Sequence, residues 1–314
     1  MIQIAKRSLR ALGLAAGLLA GVAATAEESF SVRYQGIVHD ALYDICFSGS
    51  QGFAVGIAGT VFTSADQGES WQPQGSLGPE AILGLYCGAD TVLAVGQGGA
   101  IHRKRNGEWQ RVDSGSDARL LDVSANRSGL AVAVGGFGTV LRSMDGGSSW
   151  EPLSFDWETL LDDFLEPHVY DVEVSEEGVI TIVGEFALVL RSVDGGETWD
   201  MVHRGDASLF ALDLSGDVGY AVGQNGLILK SGDGGQTWTR QDAGTEANLL
   251  DVLVDRDGVV HVTGIRTLLQ SGDGGNTWAA SKAGDISYRW YQSLGLSESG
   301  VFMVGHSGRI VRIK

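Results

Sequence analysis

The stretch RSMDGGSSW, Arg142–Trp150, decides the fold. An Asp, two glycines and a Trp stand at fixed offsets behind an apolar run. The spacing returns as RSVDGGETW at Arg191–Trp199, KSGDGGQTW at Lys230–Trp238 and QSGDGGNTW at Gln270–Trp278, with a looser copy, TSADQGESW, at Thr63–Trp71. Such an aspartate accepts hydrogen bonds from N–H groups of its own turn, and the glycines permit positive φ. The Trp opens the next strand and packs its large surface beside the turn. Each copy therefore pins one hairpin at the outer edge of a sheet, where an unprotected strand invites aggregation. It is a structural device rather than a metal or catalytic site.

A second motif sets the period. An apolar pair and a glycine precede a turn in AVGIAG, AVGQGG, AVGGFG, IVGEFA, AVGQNG, VTGIRT and MVGHSG, with leading glycines at Gly56, Gly96, Gly135, Gly184, Gly223, Gly264 and Gly305. The gaps are 40, 39, 49, 39, 41 and 41 residues. Units of about forty residues with four short strands each are the spacing of a β-propeller. An apolar inner strand such as LLDVS (Leu120–Ser124) comes first, the second strand ends in AVG, the third is VLRS or ILKS, and the turn motif leads into the fourth. The seventh unit stops after IVRIK, its third strand, and the missing strand is supplied by SFSVRY, Ser29–Tyr34. The fold expected is all-β: a seven-bladed β-propeller over 27–314, closed by an N-terminal strand that completes the last blade.

The first 26 residues read as a signal peptide. Lys6, Arg7 and Arg10 precede an apolar run, Ala11–Val22, too short to span a bilayer, and Ala24-Thr25-Ala26 is a cleavage signal. The mature chain is expected to be exported to a periplasm, or to the thylakoid lumen in a photosynthetic host. Removing the leader moves the formal charge from −17 to −20. A polyanion of this kind repels nucleic acid and anionic headgroups. Export makes a disulfide between Cys46 and Cys87 chemically possible; two buried apolar thiols are the expectation.

Two units deviate. Blade two carries RKRNGEW, Arg103–Trp109, which keeps Gly and Trp but loses the Asp. Between blades three and four lies an insertion, Asp156–Pro167, with Trp157, Leu160, Leu161, Phe164 and Leu165 at helical spacing. Asp156 caps the helix and Pro167 stops it. Its apolar side either covers the propeller rim or docks a partner through Trp157 and Phe164.

Two rings recur at equivalent positions. Asp44, Asp122, Asp171 and Asp251 lie in inner strands, where the other blades carry Gly84, Ala211 and Gln292. Hydrogen bonds to a neighbouring blade account for them; a cation in the central channel is the alternative. Arg103, Arg142, Arg191, Lys230 and Arg312 form a basic ring in the third strands, with Thr63 and Gln270 in the remaining two. It forms an anion-binding stripe or pairs base by base with neighbouring acids. The loops into strand one and between strands two and three carry the partner-binding candidates Arg119, His168, Glu185, Phe186, Arg266, Arg289 and His306. No His/Cys/Asp group has metal-ligand spacing, and no phosphate loop, dinucleotide fingerprint or G-x-S-x-G is present. No cofactor, metal or catalytic residue is expected.

The turn motif is the Asp-box, or BNR repeat, of sialidases and sortilin-like receptors. The full pattern, LxDV…AVGxxGxVLRSxDGGxTW, resembles the photosystem II assembly and stability factor family across essentially the whole mature chain. That resemblance implies a lumenal seven-bladed propeller that binds reaction-centre assembly intermediates without catalysis. The function expected is a monomeric, non-catalytic scaffold for a membrane or envelope protein complex, either a photosystem II intermediate or a bacterial transporter. The alternative is a glycan-active or glycan-binding, sialidase-like propeller.

Overall fold

The computed structural model describes residues 30–161 and 165–313. It forms seven four-stranded antiparallel sheets, each built from consecutive strands except the last. That sheet combines Tyr291–Ser297, Gly300–Gly305 and Ile310–Ile313 with the N-terminal strand Ser31–Tyr34. Ser31 pairs with Arg312 and Val32 with Val311, so the two ends of the chain close the ring as expected. The signal peptide placed at 1–26 and Phe164 lie outside the described residues.

The repeated glycine of the AVG motif is explained by close approach. At Gly56, Gly96 and Gly223 a Cβ would lie 2.0–2.1 Å from the carbonyl oxygen of Ala41, Ala81 or Ser208, the residue that precedes each blade's first strand. No side chain fits there, and the backbone is extended, at φ −169 for Gly56. The next turn places the second residue after each of these glycines in the left-handed region: Ala58, Gly98, Phe137, Phe186, Asn225, Arg266 and Ser307 all have φ between 51 and 63.

The Asp-box turns are built as the sequence implies. Asp145 accepts the N–H groups of Ser148 and Ser149 and the hydroxyl of Ser143 through Oδ1, and the hydroxyl of Ser149 through Oδ2. Ser143 Oγ in turn accepts Gly147 N–H at 2.9 Å. This network holds Asp66, Asp145, Asp233 and Asp273 down to about 2, with the hydroxyl of the residue four positions on as the largest cause. Blade two replaces it with a two-residue Asn106-Gly107 hairpin turn, both residues at positive φ.

The seams between blades carry a second regularity. Asp44 Oδ2 accepts Leu85 N–H of the next blade at 2.6 Å, Asp171 Oδ2 accepts Leu212 N–H at 2.7 Å and Asp251 Oδ2 accepts Leu294 N–H at 2.6 Å. Two residues further along the strand, Ser124, Glu173 and Asp213 accept Val174, Leu214 and Val254 N–H in the same way. Between blades one and two that second position is occupied by Cys46, which forms a disulfide with Cys87. This overturns the expectation of two separate thiols: the pair stands where the other seams place a side-chain acceptor and the amide it serves. Ser293, not Gln292, takes the aspartate position of blade seven, opposite Val304, and its hydroxyl donates to Asp44 Oδ1 at 2.6 Å across the closing seam.

The inserted helix is described over Trp157–Leu161. Asp156 caps it through the N–H and hydroxyl of Thr159. Trp157 and Leu161 are buried with Leu130, Val132 and Ile180 between blades three and four. Trp157 stacks on Phe155 at 4.6 Å, and its indole lies where a Cβ on Gly138 would stand. Trp157 is therefore rim core and not a surface anchor.

Two outcomes follow from this packing. Trp157→Ala should cost about 3–5 kcal/mol by denaturant unfolding, as for other buried aromatics; a loss below about 1 kcal/mol would place the ring outside the core. The seam between blades one and two has Thr63 where five blades carry a base, and the disulfide stands with Asp44 as a tie between its inner strands. Cys46→Ser should cost about 2–4 kcal/mol, and reduction should raise amide exchange first in Ile82–Cys87. Uniform exchange around the ring would contradict this.

Candidate functional site: a channel mouth and its loop-bearing face

The inner strands enclose a channel with a cavity of about 500 Å³. Asp44, Asp122, Asp171, Glu173, Asp213 and Asp251 line it, and none of its described lining residues is Lys, Arg or His. Burial pushes every one of these carboxyls up: Glu173 to about 8, Asp251 to about 7 and Asp213 to about 6, with Asp44 and Asp171 raised well above the usual range. Like charges add to the rise, as Asp213 does for Glu173. The aspartate ring thus stitches blades together, each acid satisfied by backbone N–H groups. Among the described residues no group of three or more His, Cys, Asp or Glu side chains converges on a metal position.

The basic ring is also largely structural. Arg103 Nε donates to Gly146 O at 2.8 Å and Arg142 Nη1 to Gly195 O at 2.9 Å, each reaching the Asp-box turn of the next blade. Lys230 does the same to Gly274, and Arg312 pairs with Glu69. Arg142 also pairs with Glu151 and Glu197. Arg191 is the exception, with its Nε buried and unpartnered.

One residue before each aspartate position, the seven blades contribute Tyr43, Leu83, Leu121, Tyr170, Phe210, Leu250 and Gln292. Together with Arg119 they line a cavity of about 290 Å³ at the channel mouth, adjoining the channel below, whose wall shares these seven residues. This collar was not anticipated. The repeat alignment contains it, one column from the aspartates, but its Tyr, Leu and Phe residues read as ordinary strand core.

An aromatic line runs outward from the collar. Phe210 meets Tyr170 edge-on at 5.1 Å, Tyr170 meets His168 at 6.2 Å, and His168 meets Phe137 at 4.9 Å. Phe137 is 71% exposed although its φ is 54. His168 Nδ1 accepts its N–H at 3.0 Å, which fixes the turn and leaves the ring proton on Nε2. Left-handed backbone costs a bulky residue about 1–2 kcal/mol, so Phe137, Phe186 and Arg266 hold positions that Gly or Asn would fill more cheaply.

The remaining predicted residues divide. Arg119, Arg266 and Arg289 are exposed, and the last two are joined by Arg266 N–H donating to Arg289 O at 2.8 Å. Tyr288, at 78% exposure, stands beside them. Glu185 is half-buried and accepts His168 N–H at 2.8 Å, a loop brace. His306 is buried against Trp290 and Tyr291, and its Nε2 lies 3.2 Å from Asp285. Burial lowers its pKa. Glu185 and His306 thus support the face, and Arg119, Arg266 and Arg289 present it.

Closed blades, Asp-box turns and a loop-bearing face define a seven-bladed propeller of the Asp-box class. Residues 101–202 and 153–246 match the family described as Photosynthesis system II assembly factor YCF48, and the chain is a photosystem II assembly factor-like propeller. Among solved structures, YCF48 from Cyanidioschyzon merolae is 18% identical, covering 90% of this chain and 98% of that one, with a TM-score of 0.73. The structure "YCF48 bound to D1 peptide" is 17% identical, covering 91% and 94%, with a TM-score of 0.71. A streptogramin B lyase is 11% identical over 91% and 97%, with a TM-score of 0.77. At such identities the likeness is one of fold. No curated protein sequence matches the chain.

The channel acids fix the sign of the pH dependence. Their folded pKa values exceed the unfolded ones, so the folded chain keeps protons that the unfolded chain has released, and stability falls as pH rises through that window. The Asp-box aspartates act oppositely, contributing stability above about pH 4 that is lost towards pH 2. The melting temperature should therefore drop from about pH 5 to about pH 8.5, and Glu173→Gln, which keeps an acceptor for Leu214, should flatten the upper part of that drop. A flat or rising profile in scanning calorimetry would refute the assignment.

Proposed function

We propose that this chain is an exported, non-catalytic, monomeric propeller that holds a polypeptide segment of a membrane or envelope protein complex against the face around the channel mouth. The observation that carries the reading is the set of bulky residues in left-handed turns, Phe137, Phe186 and Arg266, on that one face. Folding alone gives no reason for them. The YCF48 match and the solved complex of a YCF48 with a D1 peptide support a photosystem II intermediate as the partner in a photosynthetic host. A bacterial envelope complex such as a transporter is the counterpart elsewhere. The Cys46–Cys87 bridge supports a periplasm or thylakoid lumen, and the charge of −17 argues against nucleic acid.

The glycan-active reading needs two carboxylates facing across an open pocket. The acids at the aspartate position here accept amides of the next blade instead.

The test is quantitative capture of the native complex from solubilised membranes of the host. Phe137→Gly combined with Arg266→Gly should cut capture by about tenfold or more while leaving stability unchanged or raised by about 1 kcal/mol, because positive φ is released from strain. Capture equal to wild type would remove this face from the reading.

A further inference from the structure

The collar and the channel beneath it are not used by the docking role as stated. The mouth is a ring with one residue from each blade, six aliphatic or aromatic and the seventh Gln292, half-buried and without a partner on its open side. Below it the wall changes character: six carboxyl groups line the channel, and no basic residue does. Buried carboxylates elsewhere are compensated by cations or remain protonated. The acids at the aspartate position are committed to stitching, since Asp44, Asp171 and Asp251 each use both oxygens on amides or hydroxyls. Glu173 and Asp213, on adjacent strands of blades four and five, each spend one oxygen on an amide of the next blade. The other oxygen of each has no hydrogen bond. They stand three residues along the strands from Tyr170 and Phe210, or about 10 Å at the rise of a β-strand.

We propose that this opening receives one basic side chain, a lysine or arginine, of an extended polypeptide, with its aliphatic stem in the collar and its cationic head at Glu173 and Asp213. The proposal rests on the docking reading above and names the residue class that reading leaves open. Charge complementarity selects the occupant. A carboxylate would meet six like groups, and a purely apolar tip would leave the free oxygens of Glu173 and Asp213 unpaired. A bare metal ion is poorly served, since no three of the described ligand-type side chains converge. A long stem with a charged end matches a largely apolar ring set above an acidic wall. Arg119, exposed at the rim, limits entry to a single cation and favours an acidic or neutral neighbour beside it in the partner.

The titratable groups facing such a head are Asp44, Asp122, Asp171, Glu173, Asp213 and Asp251 on the channel wall, with Tyr43, Tyr86 and Tyr170 beside them and Arg119 at the mouth. Ionising the carboxyls favours the cation, so binding should tighten from about pH 6 to about pH 8.5.

The experiment is isothermal titration calorimetry of the purified protein with three capped pentapeptides, Gly-Leu-X-Leu-Gly, in which X is lysine, norleucine or glutamate. The lysine peptide should bind at least about tenfold more tightly than either of the others. Tyr170→Ala and Asp213→Asn should each weaken it by about fivefold or more, with melting temperatures recorded alongside. Glu173→Gln serves if Asp213→Asn does not fold. Equal affinity for lysine and norleucine, or unchanged affinity in both acid variants, would overturn the proposal. Capture of the native complex separates the two readings. Capture without lysine preference defeats the channel proposal alone, whereas lysine preference without capture defeats the docking reading alone.

Discussion

The structure depends on one kind of contact: a side-chain acceptor in an inner strand taking an amide N–H from the next blade. A propeller blade hydrogen-bonds within itself, so neighbouring blades meet through side chains, and a seam without polar ties would rest on apolar packing alone. Asp44, Asp122, Asp171 and Asp251 supply one such tie each, Ser124 and Glu173 add a second two residues on, and Asp213 makes it from that second position where Ala211 occupies the first. Where blade two has Gly84, the strands close up instead, leaving only 2.7 Å between a would-be Cβ and Asp122 Cα. Where Cys46 stands at the second position, the tie is covalent. Around the ring two neighbouring positions per blade are filled by carboxylates, hydroxyls or a disulfide, or are left small.

That solution has an electrostatic consequence. Six acids gather in a channel with no base among its described lining residues, and desolvation drives their pKa values upward. The outer rim is the reverse. There Arg103, Arg142 and Lys230 reach carbonyls of the following turn, and the Asp-box aspartates are held ionised by hydroxyls and amides. The chain thus fastens its blades with acids at the axis and bases at the rim. The rim arrangement is neutralised locally, and the axial one is not, so the channel's unspent acceptors are available to a ligand in a way that the basic ring is not.

The blade count, the closing strand and the turn network were legible because a forty-residue period repeats the same physical device. What escaped the sequence was whatever depends on a single column or on distance across a seam. Gln292 fell in the aspartate column because the hairpin joining the first two strands differs in length between blades; the bulge is common to all seven, and Ser293 belongs there. The disulfide required knowing that two positions, offset by one between successive blades, face each other across a seam. Trp157 read as part of an amphipathic helix whose apolar side had two possible destinations; only the gap at Gly138 and the stack on Phe155 decide for the core. The collar escaped because Leu83, Leu121 and Leu250 look identical to core leucines until the ring is closed.

Repetition also separates structure from function within one protein. The same left-handed turn is made seven times, by Ala58, Gly98, Phe137, Phe186, Asn225, Arg266 and Ser307. Gly98 and Asn225 show that the backbone is served at little cost by residues suited to it. Phe137 and Arg266 adopt the same backbone at a penalty and expose large side chains to solvent. A repeat that tolerates the inexpensive residue at some blades and carries the expensive one at others has its own internal control. Ala58 and Ser307 carry the cost with small side chains, whereas blades three, four and six carry it with large ones, on the face that holds the channel mouth. Strain there cannot be ascribed to the fold, because the fold is made without it in the neighbouring blades.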